Sequence, residues 1–403
     1  MTTEIRVQNI SSIKFSDWFF YIVLFLKPAA DAFYEVGSIR YLYMVLLFGT
    51  AAIAFTGKKL AGGAMHFDGR NWLQVALFSL AYFSFLLIMS VIYGGSWDGM
   101  FKIISPFILF LLISAAADEN LIYVLGWSSV GTIIGNAMLL PFSYGWVYWG
   151  TVHTFKGFYY FKTDLAYALT FSALFVAMMD KFKLTPLVMF CFGLASIQIV
   201  LSNSRMNYLT FSVLTLFLLT RSGLSVMSIV RILLLLTFIG GVAATLYDPT
   251  RLLSFDASNL NSFTQGRDHI WSVMFYQGLM KYTPLQWMFG KGMFADSLIY
   301  ARNVFSAEAH NAHNEWLHML TTQGVMGQIA YLALWWMVAR ACRRSDTPGW
   351  CRRVLGLAML LAFLQSFTIQ ISLFSTKTWP LMCVFLAVAM VKAEKPGVGA
   401  REK

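Results

Sequence analysis

Apolar runs long enough to cross a lipid bilayer, about 20 residues each, recur from one end of the chain to the other. The one long polar interruption lies around residues 247 to 320. Only 12% of the 403 residues are charged and 58% are hydrophobic, whereas a soluble domain carries about 25% charged residues. The sequence therefore predicts a single all-α, polytopic domain that is integral to a membrane.

The hydrophobic pattern predicts about twelve transmembrane helices. They are expected near residues 18–34, 40–56, 72–93, 98–116, 120–140, 163–180, 184–201, 206–220, 228–246, 322–340, 353–370 and 376–392. Residues 1–246 would form the helices before a long loop, residues 247–321 the loop itself, and residues 322–403 the remaining helices and a tail. An even number of spans places both termini on the same side of the membrane.

Lysine and arginine are concentrated in the short connections on the side of the termini, which the positive-inside rule assigns to the cytoplasm. Among these basic residues are Lys58, Lys59, Arg70, Lys181, Lys183, Arg340, Arg343 and Arg344. The opposite connections, such as GGSWDG and SLFSTKTW, are poor in them. The long loop is therefore expected on the non-cytoplasmic side, where its length exempts it from the rule.

The excess of basic over acidic residues does not indicate a nucleic-acid partner. The net charge is +11, but the basic residues are scattered singly between apolar spans rather than gathered on one soluble face. The four cysteines, Cys191, Cys342, Cys351 and Cys383, lie in or beside apolar spans without the C-x-x-C spacing of a zinc site or redox pair. The expected surroundings are membrane lipids, and a disulfide framework is not expected.

Half of the six histidines lie in one short stretch, SAEAHNAHNEWLHMLTTQGVMG, at residues 306–327. This stretch has the pattern of a helix entering the membrane and ending near Gly324. His310, His313 and Asn314 would then share one helix face within a turn, and His318 would point elsewhere.

Three interpretations of this histidine cluster compete. A zinc site favours two histidines four residues apart beside a carboxylate, but His310 and His313 are three apart, and Glu315 lies on a different face from His313. The histidines could instead only cap or hydrate an interfacial helix. The third interpretation is acid–base chemistry, for which imidazole has a suitable pKa near neutrality. Three imidazoles beside two asparagines favour this last interpretation.

Arginines on the same predicted side could supply the partner group. Arg205 lies in LSNSRMNYL at the join of two helices, and Arg267 lies in TQGRDHIW within the long loop, which also carries Arg251, Lys291 and Arg302. Guanidinium groups bind phosphate oxygens in a bidentate manner and stay charged. Arginines that converge on one pocket would suit a diphosphate, although any single one can also be a helix-end side chain that reaches the interface.

These stretches resemble the O-antigen ligase and polymerase superfamily of bacterial inner membranes. The shared pattern is a His-Asn pair, an aromatic residue and leucines, then two glycines three apart, which here are His313, Asn314, Trp316, Leu317, Leu320, Gly324 and Gly327. NSRMNYL, with Arg205, also matches, as do GRDHIWSVMF and the later FGKGMF, with Arg267 and the pair Gly290 and Gly292. Where members often have Glu before the first glycine of the later pair, this chain has Thr322 and Gln323.

The resemblance implies a GT-C-like membrane glycosyltransferase of lipopolysaccharide biosynthesis that is inverting, independent of metal and without a cofactor. Its donor would be a glycan linked to undecaprenyl diphosphate, and its acceptor would be a sugar hydroxyl of lipid A-core. The reaction would take place at the periplasmic face of the inner membrane. His313 would accept the proton of the acceptor hydroxyl, while Arg205 and Arg267 would hold the diphosphate.

Further residues are expected to bind substrate. Asn314 would orient the imidazole or contact the acceptor, His310 would assist, and Arg302 is a further cation of the loop. Lys156 lies in HTFKGFYYFKTDLAY, residues 153–167, beside aromatic rings suited to stacking on sugars. Lys27 and Asp31, four residues apart in the first span, are expected to neutralise each other as a structural pair.

Two alternative functions remain open. A polymerase or a protein O-glycosylating member of the same superfamily would use the same donor and base, and the presence of only one long extracytoplasmic loop favours the ligase. The other alternative is a lipid-linked glycan transporter or flippase. Transporters commonly carry inverted repeats and charges at the membrane midplane, whereas the ionisable cluster of this chain lies in the predicted external loop.

Overall fold

In the computed structural model the described residues are 15–33, 37–60, 69–93, 97–149, 152–221, 267–293, 295–304, 312–343, 347–368 and 375–391. Within these ranges the chain is built almost entirely of helices. The helix expected near 228–246 lies outside the described residues, as do the first part of the long loop and His310.

Before the long loop, the helices are α1 (Phe15–Phe25), α2 (Lys27–Ala32), α3 (Gly37–Leu60), α4 (Gly69–Tyr93), α5 (Trp97–Ala116), α6 (Leu121–Ala137), α7 (Lys162–Met179), α8 (Pro186–Ser202) and α9 (Arg205–Arg221). Short helices then follow within the long loop: α10 (Arg267–Ser272), α11 (Pro284–Phe289) and α12 (Ala295–Val304). The last three described helices are α13 (Glu315–Cys342), α14 (Gly349–Ser366) and α15 (Ser375–Met390).

Among the described residues, four helices are long and apolar enough to cross a membrane, over Tyr41–Lys58, Arg70–Tyr93, Gly99–Ala116 and Glu315–Cys342. Three shorter helices, over Leu121–Ala137, Pro186–Ser202 and Lys377–Met390, are also apolar. On the outer faces of the bundle, large apolar side chains such as Leu80, Val91 and Ile92 are exposed, which is expected where lipid replaces water as the solvent. These are the features of an α-helical membrane protein.

Each predicted helix within the described residues is found close to its predicted position. The first one is divided at Leu26 into α1 and α2, because Pro28 in the first turn of α2 has no N–H to continue the hydrogen-bond ladder of α1. α13 begins at Glu315, before residue 321, where the loop is predicted to end.

A small β-hairpin departs from the all-α prediction. Strand β1 (Trp146–Trp149) pairs with β2 (Val152–Phe155) in antiparallel register, with Trp146 opposite Phe155. The strands read WVYW and VHTF, and such aromatic and β-branched residues fit a pleated surface better than a helix. His153 stacks on Trp146, with ring centroids 4.9 Å apart, so this histidine is part of the hairpin's aromatic cluster.

The last helices hold the long loop against the bundle. α13 packs against α4 and against the loop helix α11. α14 packs against α9 and α15. The N-terminal end of α9, the loop helices and the start of α13 are therefore all tied to the same set of neighbouring helices.

A buried ion pair joins two of the helices. Lys377 Nζ in α15 lies 3.1 Å from Asp164 Oδ1 in α7, and both side chains are almost fully buried. The Tyr167 hydroxyl donates a hydrogen bond to the backbone carbonyl of Lys377 at 2.7 Å. Charges placed in a membrane protein interior are stable only when a partner compensates them, so this pair fixes α15 relative to α7.

We expect Lys377→Met to lower the free energy of unfolding by about 3–5 kcal/mol, because it leaves the Asp164 carboxylate buried without its compensating charge. The double variant Lys377→Met/Asp164→Asn removes both charges and should recover most of this loss. Thermal unfolding in detergent measures both effects. An unchanged melting temperature in the single variant would show that the ion pair does not hold α15 to α7.

Candidate functional site

The join between α8 and α9 places Arg205 at a helix N-terminus. α8 ends at Asn203, whose φ of +51° is left-handed, a conformation that asparagine tolerates better than most residues. Ser204 follows, and its hydroxyl accepts a hydrogen bond from Asn207 Nδ2 at 2.8 Å. Arg205 is the first residue of α9 and its side chain is exposed.

His313 lies immediately before α13 rather than on it. Its side chain is exposed and its φ is +49°. Asn314 is the N-cap of the helix: its side-chain oxygen accepts a hydrogen bond from Leu317 N at 3.0 Å. The expectation that His313 and Asn314 share a helix face is therefore wrong. The Asn314 side chain caps the N-terminus of α13, so the helix begins only after both residues.

The C-terminal end of α14 contacts the first turn of α9. Gln365 Nε2 donates hydrogen bonds to Asn207 Oδ1 at 2.6 Å and to Thr210 Oγ1 at 2.9 Å. All three of these side chains are buried. Asn207 is two residues from Arg205 in the same helix. These hydrogen bonds therefore hold the backbone of Arg205 close to this end of α14.

The same end of α14 also holds the histidine segment. Trp316 Nε1 donates a hydrogen bond to Ser366 Oγ at 2.8 Å. Asn314 Nδ2 donates one to the backbone carbonyl of Phe367 at 3.2 Å. Because these acceptors directly follow Gln365, the first turn of α9 and the segment that carries His313 meet at one end of α14.

Arg267 is linked to the histidine from the loop side. It is the first residue of α10 and its side chain is half-buried. In the same short helix Trp271 Nε1 donates a hydrogen bond to the Ala312 carbonyl at 2.9 Å, and Ala312 directly precedes His313. Burial lowers the pKa of the Arg267 guanidinium, but arginine remains charged in proteins.

The two glycine pairs of the sequence lie against each other. α13 is interrupted at Gly324, where φ is +67°, and α11 ends at Gly290, where φ is +76°. The Lys291 and Gly292 amides donate hydrogen bonds to the carbonyls of Thr321 and Thr322, at 3.0 and 2.9 Å.

These bonds satisfy carbonyls that the break in α13 leaves without a helical partner. The Tyr282 hydroxyl adds another, to the Thr321 carbonyl at 2.9 Å. The helix can break at Gly324 because the loop supplies the missing donors, and the loop is held against α13 by the same bonds.

Two residues of the site were not predicted as functional, Asp296 and His318. Both are completely buried, and His318 Nδ1 lies 2.8 Å from Asp296 Oδ2. The same carboxylate oxygen accepts a hydrogen bond from the Ala312 amide at 3.2 Å. Burial alone would raise the pKa of Asp296, but the attraction of His318 and the hydrogen bonds of the Ala312 and Ser297 amides bring that pKa below its ordinary value.

The sequence carried a partial signal for one of them. His318 belongs to the histidine stretch, but nothing in FADSLIY marks Asp296, because its role depends on a contact between residues 22 positions apart.

The remaining candidates lie elsewhere or outside the described residues. Lys156 follows the β-hairpin, is half-buried, and has its Nζ 4.8 Å from the centre of the Tyr144 ring. The backbone of Arg302 lies in α12, but its side chain, like all of His310, is outside the described part of the chain.

A groove of about 170 Å³ begins beside the histidine segment. Its lining follows α13 from Glu315 and Trp316 to Trp335 and is completed by apolar side chains of α14 and α15. Leu332 and Phe363 in this lining are exposed, so the groove opens on the surface of the bundle.

Among the described residues, no group of three His, Cys, Asp or Glu side chains is arranged to hold a metal ion. All four cysteines are buried and free. No protein-family model and no curated protein sequence matches this chain. Its candidate site is therefore defined by the geometry around His313, Arg205 and Arg267.

Proposed function

We propose that this protein is an O-antigen ligase, a glycosyltransferase of the O-antigen ligase and polymerase superfamily. It transfers a glycan from undecaprenyl diphosphate to a sugar hydroxyl of lipid A-core, at the periplasmic face of the bacterial inner membrane. One observation carries the proposal. Three side chains far apart in the sequence, Arg205, Arg267 and His313, belong to segments that are hydrogen-bonded to one another around Ala312 and the end of α14.

The chemistry of these three residues fits the transfer. In the proposed step the acceptor hydroxyl attacks the anomeric carbon of the donor, and the exposed imidazole of His313 takes up the hydroxyl proton as the new bond forms. The bond between the anomeric carbon and the diphosphate oxygen breaks, and Arg205 and Arg267 stabilise the negative charge that develops on the leaving group. A single direct displacement inverts the anomeric configuration.

Arginines suit this leaving group because they bind phosphate oxygens with several donors and remain charged. Arg205 stands at the N-terminus of α9, where the helix dipole and the backbone N–H groups also favour an anion. These groups supply the charge compensation that many glycosyltransferases obtain from a metal ion, so the proposed reaction requires no metal and no cofactor.

The groove beside the site supports a lipid-linked donor. Its lining is almost entirely apolar along α13, and it opens on the surface of the bundle. A polyprenyl chain entering sideways from the bilayer would bury its apolar surface there, and the diphosphate would lie beyond the groove, at Arg205 and Arg267. Lateral entry is what a reaction between two lipid-linked substrates requires.

The membrane arrangement belongs to the same proposal. About twelve spans, with both termini in the cytoplasm and the site in the periplasm, follow from the hydrophobic pattern and the distribution of Lys and Arg. A GT-C-like arrangement of these spans is what the family resemblance implies. In this arrangement the site faces a compartment in which the donor is already bound to its lipid carrier.

The first test combines purified protein, a short undecaprenyl-diphosphate glycan and lipid A-core in detergent with EDTA, followed by gel separation of the lipid A species. We expect a lipid A band of reduced mobility that forms in the presence of the chelator. Longer glycans on undecaprenyl diphosphate, with unchanged lipid A, would identify a polymerase instead. A protein that forms neither product but moves the donor across vesicle membranes would be a transporter, and the ligase proposal would be wrong.

A further inference from the structure

The backbone next to His313 is held on both sides by one buried carboxylate. Asp296 Oδ2 accepts a hydrogen bond from the Ala312 amide at 3.2 Å, one residue before the histidine. It also pairs with His318 Nδ1 at 2.8 Å, in the first turns of α13 after the histidine. Asp296 belongs to α12, so a different part of the long loop sets the path of the chain through His313.

His313 needs such support because its backbone is in an unfavourable conformation. Its φ of +49° lies in the left-handed region, which costs a residue with a Cβ atom about 1–3 kcal/mol and persists only where the surrounding structure imposes it. Asn314 determines the conformation from the helix side by capping α13. Asp296 determines it from the other side by fixing the Ala312 peptide.

Ala312 also contacts α10, the short helix that carries Arg267. Its carbonyl accepts the hydrogen bond from Trp271 in α10, at 2.9 Å, while its amide donates to Asp296. Both polar groups of Ala312 are therefore engaged, and the residue is completely buried. The spacing between the segment of Arg267 and His313 thus depends on where Asp296 holds Ala312.

A role in stability alone does not explain this pair well. Asp296 and His318 are both 0% exposed, and a buried ion pair is often no more stabilising than apolar residues of similar volume. A charged pair does, however, select one arrangement of the groups around it. Here the groups arranged around the pair include the Ala312 amide, which directly precedes the exposed His313.

The geometry points to Asp296 as the positioning residue of His313. Through the Ala312 amide and His318, Asp296 fixes the position of the imidazole relative to Arg267, so that the imidazole can reach the attacking hydroxyl. This inference rests on the proposed function for its effect on turnover. Asp296 is completely buried, so its role is exerted through Ala312 and His318 and not by contact with the reacting atoms.

Two measurements on Asp296→Asn test the inference. The first is hydrogen–deuterium exchange of the backbone amides of residues 312–318, which does not depend on enzymatic activity. The second is the rate of glycan transfer, separated into kcat and KM. Asp164→Asn is the matched control, because it also removes one buried carboxylate from an ion pair, at a distance from the histidine segment in the sequence and on another helix.

We expect Asp296→Asn to increase exchange in residues 312–318 and to lower kcat by about 10²-fold, because a small displacement of a reacting group has an effect of this size. KM should change little. In a His313→Asn background the same substitution should lower kcat no further, since there is no imidazole left to misplace. Asp164→Asn should lower the melting temperature without increasing exchange in residues 312–318.

Two results would overturn the inference. One is that Asp296→Asn leaves both exchange in residues 312–318 and kcat as they are in the control variant. The other is that its effect on kcat multiplies with that of His313→Asn, as general damage to the fold would do. If the wild-type protein transfers no glycan at all, the ligase proposal fails, and exchange alone then decides whether Asp296 positions this segment.

Discussion

We expect His313→Asn to lower kcat for the proposed glycan transfer by about 10²–10⁴-fold, the range over which a positioned general base accelerates a reaction, and to leave the melting temperature within a few degrees of the wild-type value. Asparagine is the substitution of choice because it tolerates the left-handed backbone of position 313 better than alanine does. The loss of turnover then reports on the imidazole and not on the turn that carries it.

His269→Asn is the control for this substitution. His269 is an exposed histidine of α10, in the same loop as the site, and its replacement should leave turnover close to that of the wild type. Rates are measured as the shift of lipid A-core on gels, with EDTA present throughout. Near-normal transfer by His313→Asn would exclude His313 as the general base and would leave Arg205 and Arg267 without the proposed catalytic partner.

Gly324→Ala should prevent the protein from folding or lower its free energy of unfolding by about 4 kcal/mol or more, which places it among the most damaging single substitutions. A Cβ atom at this position would lie 2.4 Å from the Met288 carbonyl oxygen and 2.6 Å from the Gly290 amide nitrogen. These are backbone atoms, which cannot rotate away. The residue also has a φ of +67°, which adds strain to the steric overlap.

The matched control is Gly193→Ala in α8, where an added Cβ atom meets nothing within 4 Å. Alanine favours a helix more than glycine does, so this variant should be at least as stable as the wild type. The yield of monodisperse protein in detergent and its thermal unfolding compare the two variants. A Gly324→Ala protein that purifies and melts like Gly193→Ala would mean that α11 does not pack against the break in α13.

The consequence of Gly324→Ala extends to the site because the break holds the long loop in place. The loop contributes Arg267 and Asp296, and its amides at Lys291 and Gly292 are bonded to the carbonyls of α13. Any Gly324→Ala protein that does fold should therefore also be defective in transfer. The glycine acts through the packing of backbone against backbone.

Much of the helical architecture is determined by local sequence. Runs of apolar residues in α3, α4 and α5 mark these helices because their backbone hydrogen bonds are made within the segment itself, and lipid requires this of any span. The glycines at 290 and 324 were recognised through the family pattern, and the left-handed backbone at both positions explains why glycine is needed there. His313, Arg205 and Arg267 could be selected because their side-chain chemistry is rare in an apolar chain.

The arrangement of these parts was decided by tertiary structure. Whether Asn314 continues a helix or caps it depends on the contact of its amide with Phe367, far away in the sequence. The meeting of α9 with the histidine segment depends on Gln365 and Ser366, which carry no motif. Asp296 gains its role only when α12 is folded against Ala312. The sequence by itself thus determined the helices and the reactive side chains, because these follow from interactions between neighbouring residues. Only the tertiary structure decided which side chains meet, because those contacts join residues that the chain order keeps apart.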